Sequence, residues 1–241
     1  YLGISPLNTI YKIQDQLVKF DANGISFDQV EVSDKYNNKG IVDGYVYHHN
    51  FNTFNVNLNV QTSRILAMSR IKKTDTYFYG DAFASGSIQI TGNNKKMSFT
   101  GNNLTSLTGT MVGFPISYAS TSYEDSGIRF VVPEETVSIN KPKPVESNFE
   151  MDFDFVFDIN KDADVRIDLE PVDGILQCKT NGKIRLKNKK KTDRLNMDGR
   201  LDLLSGSFSM SVKDIVPREF ELMEGGTINF VGPIKSSTIS L

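Results

Sequence analysis

The chain has 241 residues, with 27 basic and 29 acidic side chains and a net charge of −2, which argues against a nucleic-acid binder needing a basic patch to displace counterions. No run of about 18 apolar residues offers a membrane-spanning helix. The single cysteine, Cys178, excludes an intrachain disulfide, a zinc site or a CxxC motif and reads as a small buried hydrophobe.

The chain opens on Tyr1-Leu2-Gly3 where a complete protein has Met, so it is expected to be a fragment whose missing targeting segment carries no information. Residues 9–19 place Ile10, Ile13 and Leu17 at a spacing that fits either one short helix or two short strands. From Gly24 onward the grammar is strand, turn, strand. Strands are expected over 25–27, 29–32, 40–47, 51–62, 65–70, 76–84, 86–91, 97–100, 104–115, 127–132, 148–159, 163–169, 174–180, 182–186, 194–204, 207–212, 219–222, 226–230 and 236–241. Turn signals separate them at Asn23-Gly24, Asn38-Lys39-Gly40, Gly92-Asn93-Asn94, Asn181-Gly182 and Gly225-Gly226. The total is on the order of 17–20 strands, an all-β fold.

The clearest of these strands is Phe54-Asn55-Val56-Asn57-Leu58-Asn59-Val60, in which every second residue is apolar and every residue between is Asn. Successive side chains of a strand point to opposite faces, so this segment has one apolar and one polar face. The alternation returns at Met151-Asp152-Phe153-Asp154-Phe155-Val156-Phe157-Asp158-Ile159 and at Ala163-Asp164-Val165-Arg166-Ile167-Asp168-Leu169. The one break is residues 141–147, with Pro142 and Pro144, which cannot donate to a sheet ladder. It permits a subdivision into 1–140 and 148–241, but the same grammar on both sides favours one continuous sheet over 1–241.

Motifs for chemistry are sparse. His48 and His49 are adjacent on a strand, point to opposite faces and cannot share a metal. No G-x-S-x-G elbow stands near to make either one a catalytic base. The run Asp158-Ile159-Asn160-Lys161-Asp162-Ala163-Asp164 imitates the start of a calcium loop, but the required Gly and Glu are replaced by Ala163 and Leu169, so it reads as a turn between strands. The run Lys187-Asn188-Lys189-Lys190-Lys191 reads as a solvated hairpin tip. Gly174, Gly182, Gly199, Gly206, Gly225 and Gly226 mark bulges, kinks or turns of a sheet that curls. No catalytic residue, metal site or cofactor is expected.

Three architectures fit the alternation. A sandwich stacks two apolar faces. A transmembrane barrel turns them to lipid, but it needs longer strands and aromatic girdles, and this chain has no Trp. A curled, open, mostly antiparallel sheet leaves an apolar trough. The 39% hydrophobic content leans towards the elongated trough, because a compact sandwich needs a richer core.

The last third of the chain carries a recognisable pattern. Gly182, Ile184 and Leu186 are followed by Met197, Gly199, Leu201, Leu203, Gly206 and Phe208, and then by Phe220, Leu222, Gly225, Gly226, Ile228, Gly232 and Pro233. With the upstream YFYGDAFASGSIQITG at residues 77–92, this resembles the C-terminal domain of the TamB family, large periplasmic translocation and assembly proteins of diderm bacteria. Two departures are visible: Phe230 stands where the family has Trp, and the Asp between Gly232 and Pro233 is absent. The resemblance implies a long U-shaped, β-taco-like sheet with an apolar concave groove, non-enzymatic and anchored to the inner membrane by a segment outside this chain. It further implies conduction of phospholipid acyl chains to the outer membrane, or help in assembly and secretion of outer-membrane proteins beside a barrel-assembly partner.

The groove residues expected from parity are Phe54, Val56, Leu58, Val60, Phe153, Phe155, Phe157, Val165, Ile167, Leu169, Ile184, Leu186, Leu201, Leu203, Phe208, Met210, Ile228 and Phe230. The rival reading is a β-sandwich adhesin or carbohydrate-binding module, with these residues as closed core and with Tyr45, Tyr47, Tyr77 and Tyr79 as an exposed aromatic platform.

Overall fold

The computed structural model describes residues 1–4, 7–13, 18–50, 52–72, 78–116, 150–169, 173–188, 196–211, 218–233 and 236–240. Among them the strands are β1 (Leu2–Ile4), β2 (Thr9–Ile13), β3 (Lys19–Phe20), β4 (Gly24–Ser33), β5 (Lys39–His49), β6 (Thr53–Arg70), β7 (Tyr79–Asn93) and β8 (Lys96–Ser106). They continue with β9 (Met111–Ile116), β10 (Glu150–Ile159), β11 (Asp164–Leu169), β12 (Gly174–Asn188), β13 (Asn196–Met210), β14 (Arg218–Leu222), β15 (Thr227–Pro233) and β16 (Thr238–Ser240). Of the ambiguous segment near the start, residues 9–13 form β2 and Lys19 begins β3, while residues 14–17 lie outside the described residues. The expected strand 127–132, the proline-containing loop 141–147, Tyr77 and the lysines beyond Asn188 lie outside the described residues.

All sixteen strands belong to one sheet, with the path β1-β2-β4-β5-β6-β7-β8-β10-β12-β13-β15-β16. Long strands carry two short ones end to end. β7 pairs with β8 along Ala84–Gly92 and with β9 along Tyr79–Asp81. β12 pairs with β10 along 182–188 and with β11 along 174–179, and β13 carries β15 and β14 in the same way. The interruptions sit side by side. The Asp164 N–H donates to Thr110 O at 2.9 Å, and the Asn160 N–H donates to Ser106 Oγ at 2.8 Å. Pairing is antiparallel except along one seam, where β8 meets β10 and β9 meets β11 in parallel.

Strands expected as separate pieces are fused. β6 runs through 53–70, β12 through the expected turn at Asn181-Gly182, and β13 through 196–210. In β12 the expected turn is absent because Gly182 (φ +144°) meets the neighbouring backbone, and Gly199 (φ +139°) in β13 does the same: a Cβ on either would lie 2.2 Å from a carbonyl oxygen of the other strand, Arg200 O and Lys183 O respectively. Only glycine lets the two backbones approach so closely with a left-handed φ, and the strand runs on through both positions.

The core forms two clusters. The larger gathers Phe114, Val165, Ile167, Leu176, Cys178, Ile184, Met197, Leu201, Leu203, Ile228 and Phe230. The smaller gathers Val32, Val42 and Ile65, with Tyr11 and Ile13 of β2 packed on it. The rings of Phe114 in β9 and Phe230 in β15 have centroids 6.2 Å apart. Four strand spacings separate β9 from β15, about 19 Å in a flat sheet, so this contact is incompatible with a flat arrangement of those strands. Open sheets beyond about ten strands ordinarily curl or split.

Candidate functional site

Residues directly opposite one another on paired strands share a face. The register therefore decides whether the apolar positions of separate strands form one surface. Val42 pairs with Val60, Val60 with Ile88, Ile88 with Gly101, Gly101 with Phe155, Phe155 with Leu186 and Leu186 with Met197. A second row runs Leu58, Ile90, Phe99, Phe153. A third runs Leu104, Phe157, Ile184, Gly199, Phe230, and a fourth Phe114, Ile167, Leu176, Phe208, Phe220. These rows make one apolar face that crosses the sheet from β5 to β15. In β13 the register shift opposite Lys179 and Thr180 switches the parity, so that Leu201 and Leu203 share a face with Phe208 and Met210.

The opposite face is polar. Asn55, Asn57 and Asn59 stand against Tyr47, Tyr45 and Asp43 on one side, and against Asn93, Thr91 and Gln89 on the other. Further along, this face carries cross-strand ion pairs: Lys96–Asp152 at 2.5 Å, Arg185–Asp154 at 2.6 Å, Lys183–Asp158 at 3.3 Å and Lys179–Asp164 at 3.2 Å. Each exposed pair contributes only about 0.2–1 kcal/mol. A register slipped by one residue would break every pair and bring the apolar face to the wrong side.

The expected groove residues divide by burial. Val165, Ile167, Ile184, Leu201, Leu203, Ile228 and Phe230 are buried, Ile167 and Ile228 at 0% exposure, in the larger cluster. Phe54, Val56, Leu58, Val60, Phe153, Phe155, Phe157, Leu169, Leu186, Phe208 and Met210 are half-buried. Phe153, Phe155 and Phe157 form a ladder with centroids 5.8 and 5.9 Å apart. Near β14, Leu203, Phe208, Met210, Phe220 and Leu222 line an apolar depression of about 560 Å³. Val42, Ile88, Ile90, Phe99, Leu104 and Leu176 join the face although they were not singled out from the sequence. The alternation Ser87-Ile88-Gln89-Ile90-Thr91 carried that signal.

Polar chemistry sits off this face. Asp168 is buried and accepts from Lys72 Nζ (2.7 Å), Tyr79 Oη (2.7 Å) and Arg166 Nε (2.9 Å). Burial opposes its charge, but these donors outweigh burial and hold its carboxyl below the ordinary value. Burial and the Asp168 carboxylate push the Tyr79 hydroxyl up to about 12. The Tyr79 ring lies against Gly113, where a Cβ would fall 2.1 Å from it, so Tyr79 is a buried brace and no part of an exposed platform. Cys178 is buried, donates to Val165 O at 3.6 Å and is pushed up to about 12 by burial. His48 and His49 end β5, His48 edge-on to Phe54 at 6.3 Å. Among the described residues no group of three His, Cys, Asp or Glu could hold a metal ion, and no helix is long and apolar enough to cross a membrane.

A single hydrogen-bonded sheet, apolar on one face and polar on the other, defines an all-β protein built on one long, mostly antiparallel sheet. The chain belongs to the TamB family: residues 28–240 match the model of the TamB C-terminal domain. No curated protein and no solved structure matches the chain. The family is generally non-enzymatic, and membership implies a role in outer-membrane biogenesis. The two departures from the family pattern are placed as follows. Phe230 is buried against Phe114, and the N–H of Gly232, beside the absent Asp, donates to the Asp198 carboxylate of β13 at 3.0 Å.

Proposed function

We propose that this chain is a periplasmic segment of an inner-membrane-anchored bridge whose apolar face conducts phospholipid to the outer membrane and supports assembly and secretion of outer-membrane proteins. The observation that carries the reading is the register, which joins apolar residues of successive strands into one uninterrupted surface. Each lipid CH₂ that leaves water for such a surface gains about 0.8 kcal/mol, with no directional contact to hold it in place. A surface that offers similar energy at successive rows lets an acyl chain slide.

In this reading acyl chains meet the half-buried rows first, from Phe54 to Val60 and along the Phe153–Phe155–Phe157 ladder. The buried cluster around Ile167 and Leu201 is the closed stretch of a curled trough, whose walls part when cargo enters. The Phe114–Phe230 contact supports the curl. The whole of 1–241 acts as one unit of the conduit, and the barrel-assembly partner stands at the outer membrane.

The test is mass spectrometry of organic extracts from the purified chain, paired with uptake of a fluorescent phospholipid. Co-purifying phospholipid is expected, and Leu58→Asp should abolish it while circular dichroism stays that of the parent. A lipid-free extract with no uptake would return the parity set to the role of an ordinary core.

A further inference from the structure

The polar face is not uniform. Across β10, β12 and β13 it is a lattice of ion pairs, whereas across β5, β6 and β7 most of its partners are uncharged amides, hydroxyls and tyrosines. At the end of β5 this neutral face dips into an open depression of about 650 Å³, within the size range of small-ligand sites. Asn23, Tyr45, Tyr47, His48, His49, Thr53 and Asn55 line it, and no Asp, Glu, Lys or Arg does.

Two features prepare this wall for a ligand. Tyr47 is 53% exposed, and its ring centroid lies 4.1 Å from that of Tyr45, tilted by 44°. Tyr47 presents an aromatic ring that the fold leaves wet, with the half-buried Tyr45 tilted against it. Tyr45 is also held in place: its hydroxyl donates to both carboxylate oxygens of Asp21 at 3.2 and 3.1 Å, and Asp21 is itself fixed by the N–H groups of Asn23 and Gly24 at 2.7 and 2.9 Å. Hydrogen bonds from the Asn23 N–H first, then Tyr45 and the Gly24 N–H, keep that carboxyl below its ordinary value, so the anchor stays charged through the neutral range.

An acyl chain would have to strip water from the surrounding amides with nothing in return. A phosphate or a carboxylate would find no cationic side chain in the wall. A gluco-configured pyranose suits all of it. Its axial C–H groups form an apolar face that lies on an aromatic ring. Its equatorial hydroxyls both donate and accept, as do the Asn and Thr side chains around the Tyr47 ring. We propose that this depression binds a neutral, β-linked saccharide, whose next units run along the Asn55–Asn57–Asn59 row. The site is on the opposite face from the apolar rows and independent of lipid conduction.

Calorimetric titration of the chain with cellotetraose and with chitotetraose tests this, with the two histidines giving a resolvable second readout in proton NMR. Saturable binding of at least one of the two is expected, with the His49 ring signals shifting. Tyr47→Ala should weaken it about tenfold, Tyr47→Phe should retain it, and Leu58→Asp on the other face should leave it unchanged. Asn55→Leu, a second substitution on the exposed wall, should weaken it as well. Absence of binding at millimolar saccharide overturns the proposal. So does binding indifferent to both Tyr47→Ala and Asn55→Leu, or stronger binding of an anionic oligosaccharide such as oligogalacturonate.

Discussion

Three donors converge on the Asp168 carboxylate from β7, β11 and the segment that precedes β7, and they stitch those strands together on the polar face. Asp34 plays a similar part at the β4–β5 turn. It accepts from the Asn38 side chain and from the N–H groups of Tyr36, Asn38 and, across to β6, Leu66. Burial works against both charges, yet both carboxyls stay below the ordinary value. A carboxyl whose folded pKa lies below its unfolded one stabilises the fold fully above the unfolded value, near about 3.9, and loses that contribution as pH falls through the folded pKa. Asp168→Ala should therefore cost about 2–3 kcal/mol in urea unfolding at pH 7, and less at pH 3, below the unfolded value, where the unfolded chain already takes up the proton and the contribution of the charge fades. An equal cost at both pH values would mean that packing, not the charge, is what Asp168 supplies.

At the scale of strands, glycine decides where neighbouring backbones can come close. Gly199→Val would place a Cβ 2.2 Å from Lys183 O at a φ of +139°, forcing β12 and β13 apart. Strain of about 1–3 kcal/mol corresponds to a loss of roughly 2–12 °C in Tm, whereas Gly3→Ala, with nothing near it, should leave Tm unchanged. Thermal denaturation followed by circular dichroism separates the two. These same glycines mark the limit of what the sequence discloses. Phe54–Val60 declares its face because alternation is unbroken, Phe153–Phe157 does so through its three phenylalanines despite Val156 between them, and the register places both on one face. Asn181-Gly182 carries the chemistry of a turn, but a neighbouring backbone fills the space that a Cβ would need, and the strand runs on. Burial depth is equally silent in the pattern. Phe155 and Ile184 read alike as inward residues, yet one is half-exposed and the other is packed in the large cluster, because depth depends on what a distant strand brings against the face.

Across the whole molecule, the contact between Phe114 and Phe230 joins strands far apart in the sheet. A Phe114→Cys/Phe230→Cys variant, with Cys178→Ser to remove the third thiol of the same buried cluster, should form one intrachain disulfide when refolded under oxidising conditions. If the walls there must part for cargo, the bridged protein should take up less fluorescent phospholipid than the same variant left unbridged. Failure to cross-link would remove the support for curling, and full uptake after cross-linking would move the lipid path away from this stretch.

The parallel seam gives the molecule an order of assembly. On its first side each strand from β4 to β8 pairs with one that follows closely in the chain, and on its second side the strands from β11 to β16 do the same. Hairpins of this kind close early because their loops are short. β10 cannot join β8 that way: Glu150 lies beside Lys96 while Leu169 lies beside Ile116, so the chain must travel back along the length of the ribbon before the two halves meet. Two zippers can thus form alone, and the join between them is the last stitch made and the first place a pulling force would find.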